Sequence, residues 1–344
     1  MQECDFMEQK NRFKNLIISV LVDNFVARKF ILKRNKNYLI PFDLNEIKKF
    51  SYEIQNITKS DEAIKRKKYI EWFYNILSKK CTDEELKIFN QNIKTFKTIQ
   101  YKKSPKSLFD AKEYLGIYDI KKNIMFIYGK YKHATIFHEM LHMSSTKLFS
   151  SNELSGFSQT SNNIAIGNGL NEGYTELLTQ RFLNLEFGEA YEFEKSVALA
   201  LEKIVGYEQM KKYYFTCDLY GLSKNLLKIY RKEDIEKFIT AIDFVSALKY
   251  IKILDPDTLK LLLSNINYIV CFLYYGYCKK LKSENYLEEE IINIINEYSE
   301  ILNFYYEDVN ENLICYNTSK VNKIISKYFN DIKINNEENI KVIF

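Results

Sequence analysis

The stretch ATIFHEMLHMSS, residues Ala134 to Ser145, decides how this chain is read. Two histidines four positions apart, His138 and His142, fall on one face of an α-helix a turn apart, so both imidazoles can reach a single point. That is the spacing of two zinc ligands. Glu139 sits about 100° around the helix from His138, where its carboxylate can hold and deprotonate a water at that point. The other positions, Ile136, Phe137, Met140 and Leu141, are apolar, as in a buried helix that carries polar groups only toward a site. The pattern predicts a helix from His133 or Ala134 to about Lys147. With three histidines in 344 residues, this pairing arises by chance in roughly 2% of such chains, and a glutamate beside the first histidine makes it rarer still. The bland alternative is a surface helix whose His and Glu make local pairs.

A catalytic zinc takes three protein ligands and keeps its fourth position for water or substrate. The segment Gly169-Leu170-Asn171-Glu172-Gly173-Tyr174-Thr175-Glu176 follows about thirty residues after His142 and places Glu172 and Glu176 one turn apart, on a helix predicted to start near Asn171. One carboxylate can bind metal, while the other can accept the free N–H of a ligating histidine and set its tautomer. Read alone, the two are an ordinary acidic first turn favoured by the helix dipole.

Together, H-E-x-x-H at 138–142 and N-E-G-x-x-E at 171–176 resemble the gluzincin metallopeptidases, the group containing thermolysin and the zinc aminopeptidases. The resemblance implies one zinc ion held by His138, His142 and Glu172, with Glu139 as general base and Glu176 as the partner that orients a ligating histidine. It implies hydrolysis of a peptide or protein substrate, with Glu139 taking a proton from an activated water and delivering it to the leaving amine. Thermolysin-like members carry Asp where this chain has Glu176. The match covers 138 to 176 and leaves the flanks unassigned. The glycine-x-methionine-glycine signature that aminopeptidases place before the metal helix is absent, so N-terminal trimming is not implied. Such a reaction also needs a donor for the developing oxyanion; Tyr213, Tyr214 and Tyr220 are candidates by position, and His133 is the one remaining histidine. The rival from another class is a non-catalytic, zinc-stabilised helical regulatory or interaction protein, in which Glu139 is dispensable.

Composition frames this segment. Hydrophobic residues make up 46% and charged residues 28% of the chain, the balance of a folded globular protein. Ten Gly and three Pro are too few for the frequent tight reversals of a sandwich, barrel or propeller. The expected fold class is mainly α with a small β element: a zincin-like core of edge strands, active-site helix and third-ligand helix, flanked by helical regions. The expected divisions are an N-terminal helical region at 1–110, the catalytic core at 111–188 and a C-terminal helical region at 189–344.

Within this layout Thr82 and Glu85 form a capping box that starts a helix. LGIYD and NIMFIY, between Leu115 and Tyr128, read as a hairpin or two edge strands and as the only strand territory. Ser150 to Gly169 reads as a loop, with Gly156, Gly167 and Gly169 forming turns. Ser104-Pro105 interrupts the first helical stretch, and Asp255-Pro256-Asp257 starts a later helix. The net charge of +5 and the KRKK run at 65–68, a solvated helix face, give no reason to expect a nucleic-acid partner. Six cysteines without a C-x-x-C pair read as free thiols in a cytoplasmic protein. The run Leu16 to Val22 is too short for a signal peptide, and Ile266 to Cys278 too short for a membrane span, so no membrane association is expected. No phosphate loop, dinucleotide fingerprint or recognisable nucleophile setting is present, and nothing in the sequence sets an oligomeric state.

Overall fold

The computed structural model describes residues 61–102, 116–128, 133–149, 152–161, 164–185, 191–248, 256–284, 286–302, 305–308, 311–314, 316–329, 332 and 334. It is mainly helical with small sheet elements. The helices expected within 1–60, together with Ser104-Pro105, Leu16 to Val22, Cys4, Cys315 and Asp255, lie outside the described residues.

Helices α1 (Asp61–Leu77) and α2 (Asp83–Asn92) open the described part. The capping box starts α2: the Thr82 hydroxyl accepts from the Glu85 backbone N–H at 3.4 Å, and the Glu85 carboxylate accepts from the Thr82 N–H at 2.7 Å. Three strands follow, β1 (Thr98–Lys102), β2 (Gly116–Asp119) and β3 (Ile124–Tyr128), in the order β1-β3-β2. β3 runs parallel to β1 and antiparallel to β2. The β2–β3 turn ends at Asn123, whose φ of 50° is tolerated by Asn. Its side chain accepts from the Tyr118 hydroxyl and donates to the Asn92 carbonyl, tying the hairpin to α2.

Helix α3 (His133–Ser144) carries the two histidines. It stops before Lys147 because the Ser144, Ser145 and Thr146 hydroxyls turn back onto the Leu141 and His142 carbonyls, offering the backbone an alternative to the next helical bond. The chain then forms an antiparallel meander, β4 (Thr146–Phe149), β5 (Asn152–Ser155), β6 (Ser158–Ser161) and β7 (Ile164–Ile166). This corrects the expectation of a loop here and of strands only at 115–128. The strands are three or four residues long, and polar residues such as Ser155, Ser158, Gln159 and Thr160 hide any alternation. Pairing and docking create them, as where Gly156 N–H reaches the Ser145 carbonyl at the end of α3.

The remainder is α4 (Asn168–Leu183), α5 (Glu192–Val205), α6 (Tyr207–Thr216), α7 (Leu219–Leu226), α8 (Lys232–Leu248), α9 (Pro256–Ser283), α10 (Glu288–Ile301), a hairpin of β8 (Tyr305–Asp308) and β9 (Glu311–Ile314), and α11 (Thr318–Tyr328). The hairpin interrupts a stretch that reads as helical throughout. α9 has Pro256 at its first position, as the sequence predicts. It is long and apolar enough to cross a membrane, yet most of it is packed inside the fold, with Ile269, Val270, Leu273, Tyr274 and Cys278 fully buried. Among the described residues Cys81, Cys217, Cys271 and Cys278 are free thiols.

One hydrophobic cluster runs from Ile70 of α1 through α3, α4, α5 and α8–α11 to Ile334. α3 lies within it: Ile136, Phe137, Met140, Leu141 and Met143 are fully buried, and the Phe137 ring packs on Phe73 at 4.8 Å and Trp72 at 5.5 Å between centroids. A helix seated this firmly holds its one polar face in a fixed direction.

Candidate metal centre

On that face His138 and His142 present their Nε2 atoms 3.1 Å apart. α4 packs against α3 and brings Glu172 Oε2 to 3.3 Å from His138 Nε2 and 3.4 Å from His142 Nε2. Three donors from two helices thus meet in a nearly equilateral triangle. A tetrahedral zinc with metal–ligand distances of about 2.0–2.1 Å spaces its ligand atoms by about 3.3 Å, so the residues present fit the ion. The histidines are almost fully buried, whereas among the described residues the Glu172 side chain keeps 32% of its surface exposed.

The atoms behind the ligands orient them. Glu176 Oε2 lies 3.1 Å from His138 Nδ1, and Gln180 donates to the other oxygen of Glu176. With the Nδ1 proton assigned to that partner, a neutral His138 carries its lone pair on Nε2, aimed at the triangle. Electron-rich atoms at these separations are stable together only around a shared proton or a cation. Asn171, also buried, accepts the Phe157 backbone N–H and sets its amide 3.4 Å from His142 Nδ1. The Tyr191 ring stacks on His138, 5.7 Å between centroids.

Charge follows geometry. Burial disfavours the His138 imidazolium, but hydrogen bonds to Glu172 and Glu176 and the Glu139 charge outweigh it and push the pKa up to about 10. Burial works against ionised Glu172 as well, yet the His142 charge and bonds to both histidines hold its carboxyl well below the usual range. Glu176 is lowered for the same reason, through His138. Glu139 differs. Burial raises its pKa, only partly offset by the His142 and His138 charges and by the Tyr118 backbone N–H. A carboxyl shifted upward beside a cation site is suited to taking and releasing a proton.

Glu139 is packed against β2. A Cβ on Gly116 would stand 2.7 Å from Glu139 Oε1 and 2.8 Å from its Cγ, so this strand passes the carboxylate only because residue 116 has no side chain. β2 pairs with β3 on one side, and among the described residues no strand pairs its other side.

Of the five residues singled out from sequence, His138, His142, Glu172 and Glu176 meet within hydrogen-bond distance, and the Glu139 charge couples to the histidines. The other candidates make different contacts. Tyr214 is fully buried, with its hydroxyl 2.7 Å from Thr175 Oγ1. Tyr213 accepts from Asn225, and Tyr220 is 53% exposed on α7. His133 is the first residue of α3 and lies against Trp72.

Sequence reading missed Asn171, Gly116 and Tyr191. Asn171 stood inside the quoted segment, next to Glu172; Gly116 and Tyr191 carry no local signal. Gly173 has a packing role: a Cβ there would meet the Glu194 carbonyl oxygen at 2.1 Å, so its absence lets α5 close on α4. α4 begins at Asn168, three residues before the predicted start. Comparison with protein-family models, curated proteins and solved structures finds no match to this chain, and the functional reading rests on the site's own geometry.

Proposed function

We propose that this chain is a zinc-dependent metallopeptidase of gluzincin type, built on a zincin-like core of the β1–β3 sheet, α3 and α4. The observation that carries the reading is the triangle of His138, His142 and Glu172 donors, with the buried Glu139 carboxylate close enough to feel the charges of all three. When bound, zinc supplies a Lewis acid for a scissile carbonyl and lowers the pKa of a water. Glu139 would accept the water proton at its carboxylate and return it to the leaving amine. Glu176, on the Nδ1 side of His138, holds that imidazole from behind. The side of β2 that no strand pairs among the described residues would offer its remaining backbone groups to an extended peptide, with pairing supplying affinity and alternate side chains specificity.

A zinc clamp without catalysis uses the same three ligands, since they already bridge α3 and α4. Glu139 separates the two readings. The test measures zinc per chain by elemental mass spectrometry for wild type, His142→Ala and Glu139→Gln, with hydrolysis of blocked and free-amine peptide libraries alongside. The peptidase reading expects about one zinc in wild type and Glu139→Gln, little in His142→Ala, and hydrolysis by wild type alone. Equal hydrolysis by Glu139→Gln, or a metal-loaded wild type that cleaves nothing, would reject catalysis. No zinc in wild type would reject the metal centre.

A further inference from the structure

α4 delivers Glu172, yet it has no cap of its own. Its N-cap residue is Gly167, with φ 79° and no side-chain hydrogen bond to the helix start. A side chain cannot be added there: a Cβ would stand 2.2 Å from the Phe157 carbonyl oxygen, and the left-handed backbone disfavours one in any case. The orphan N–H groups must find a partner elsewhere. They find it on α8, where Asp243 Oδ2 accepts from Gly167 N–H at 2.7 Å and Oδ1 from Gly169 N–H at 2.9 Å. Successive backbone N–H groups at a helix start form a nest for an anion, and here a side chain more than seventy residues away fills it.

We propose that Asp243 is a positioning residue of the metal centre, clamping the first turn of α4 so that Glu172, three residues beyond Gly169, delivers its carboxylate to the two histidines. This inference rests on the metal-centre reading above. The helix is a short rigid lever: three residues span about 4.5 Å along its axis, so a tilt or fray of the first turn moves Glu172 directly. Other contacts meet the same turn. Ser158 of β6 bonds the Asn168 side chain, and a Cβ on Gly169 would collide with Ser246 and Ile242 of α8. Among the described residues, Asp243 is the carboxylate that holds backbone N–H groups of that turn. Burial pushes its carboxyl up to about 7 against the pull of those N–H groups, and no charged side chain contributes to the shift. It is therefore examined at pH 8, where the carboxylate form dominates.

The experiment measures zinc dissociation constants by chelator competition at pH 8 for wild type, Asp243→Asn and Asp243→Glu, in the Glu172 and the Glu172→Gln backgrounds, with the visible spectrum of the cobalt-substituted protein as a second readout. Asn keeps one acceptor and turns an N–H donor toward the helix start, so Asp243→Asn is expected to weaken zinc at least tenfold and to shift the cobalt bands. Asp243→Glu, which keeps the carboxylate, is expected to recover part of that loss. In the Glu172→Gln background the effect of Asp243→Asn is expected to shrink to within twofold, because the lever no longer carries its ligand. A wild type that binds zinc tightly beside an Asp243→Asn variant within threefold of it, with unchanged cobalt bands, would overturn the role of Asp243 alone. So would an equal loss in both backgrounds, or failure of both Asp243 variants to fold, since either makes the residue a structural cap. A wild type that takes up neither metal would overturn the metal centre and this inference together.

Discussion

Glu176 Oε2 lies 3.1 Å from His138 Nδ1, on the side of the imidazole away from the Nε2 that faces Glu172. α4 therefore supplies one carboxylate to the cation position and a second, one turn on, to the back of the histidine that shares it. Any rotation of α4 moves both. This relation makes the orientation of His138 a property of helix packing.

Removing the rear carboxylate should loosen the metal without removing a ligand. Glu176→Ala is expected to weaken zinc by about 10–100-fold, and Glu176→Gln, which keeps an acceptor, by less. Chelator competition on the folded variants checks this. An unchanged constant for Glu176→Ala would mean that Tyr191 stacking and Glu172 suffice to hold the ring.

Gly116→Ala should separate metal binding from chemistry. Its new methyl would press on Oε1 and Cγ of Glu139 and on Thr135 Cγ2, and none of these atoms belongs to a ligand. Zinc content is expected to stay at one per chain while kcat falls about 10²-fold, the cost of a misplacement near 1 Å. Loss of zinc in this variant would show that the strand supports the ligands and not the base.

Tyr214→Phe tests whether a sequence-level oxyanion candidate acts in the fold alone. The substitution removes the hydroxyl that meets Thr175 Oγ1 and is expected to cost about 1 kcal/mol of stability. Peptide hydrolysis should be unchanged, whereas an oxyanion donor would take about 10²–10³-fold in kcat with it. Thermal unfolding and steady-state kinetics read the two effects separately.

Asp243 should leave a signature in the pH dependence of stability. Its carboxyl is raised from 3.8 to about 7, so between those values the folded chain keeps a proton that the unfolded chain releases. The stability from this group is complete below about pH 4 and is lost as pH rises through 7. Asp243→Asn has no such group. The melting temperature of wild type minus that of Asp243→Asn is accordingly expected to fall between pH 4.5 and 7 and to level off above. A flat difference would place the carboxyl in an ordinary environment.

Much of the site was legible because its parts are local. Four-residue spacing puts His138 and His142 on one face, sets Glu176 a turn beyond Glu172, and places Glu139 beside the first histidine whatever surrounds the helix. The Thr82–Glu85 capping box is local in the same sense, as is the Asn123 turn between the two short β-branched and aromatic runs read as a hairpin or two edge strands. The meander at 146–166 was illegible because short polar strands owe their existence to partners, here one another and the end of α3. The early start of α4 was illegible because its cap comes from another helix.

The sequence by itself determined that the chain is mainly helical, that two imidazoles share one helix face, and that an acidic turn follows at a suitable distance. Only the tertiary structure decided that Glu172 completes the triangle, that Glu176 and Asn171 stand behind its two histidines, that Gly116 makes room for Glu139, and that Asp243 holds the helix start. The physical reason is range. Helical periodicity acts over one turn and can be read along the chain, whereas the juxtaposition of α3, α4, α8 and β2 depends on burying one continuous apolar core, and linear spacing does not encode which distant groups that burial brings together.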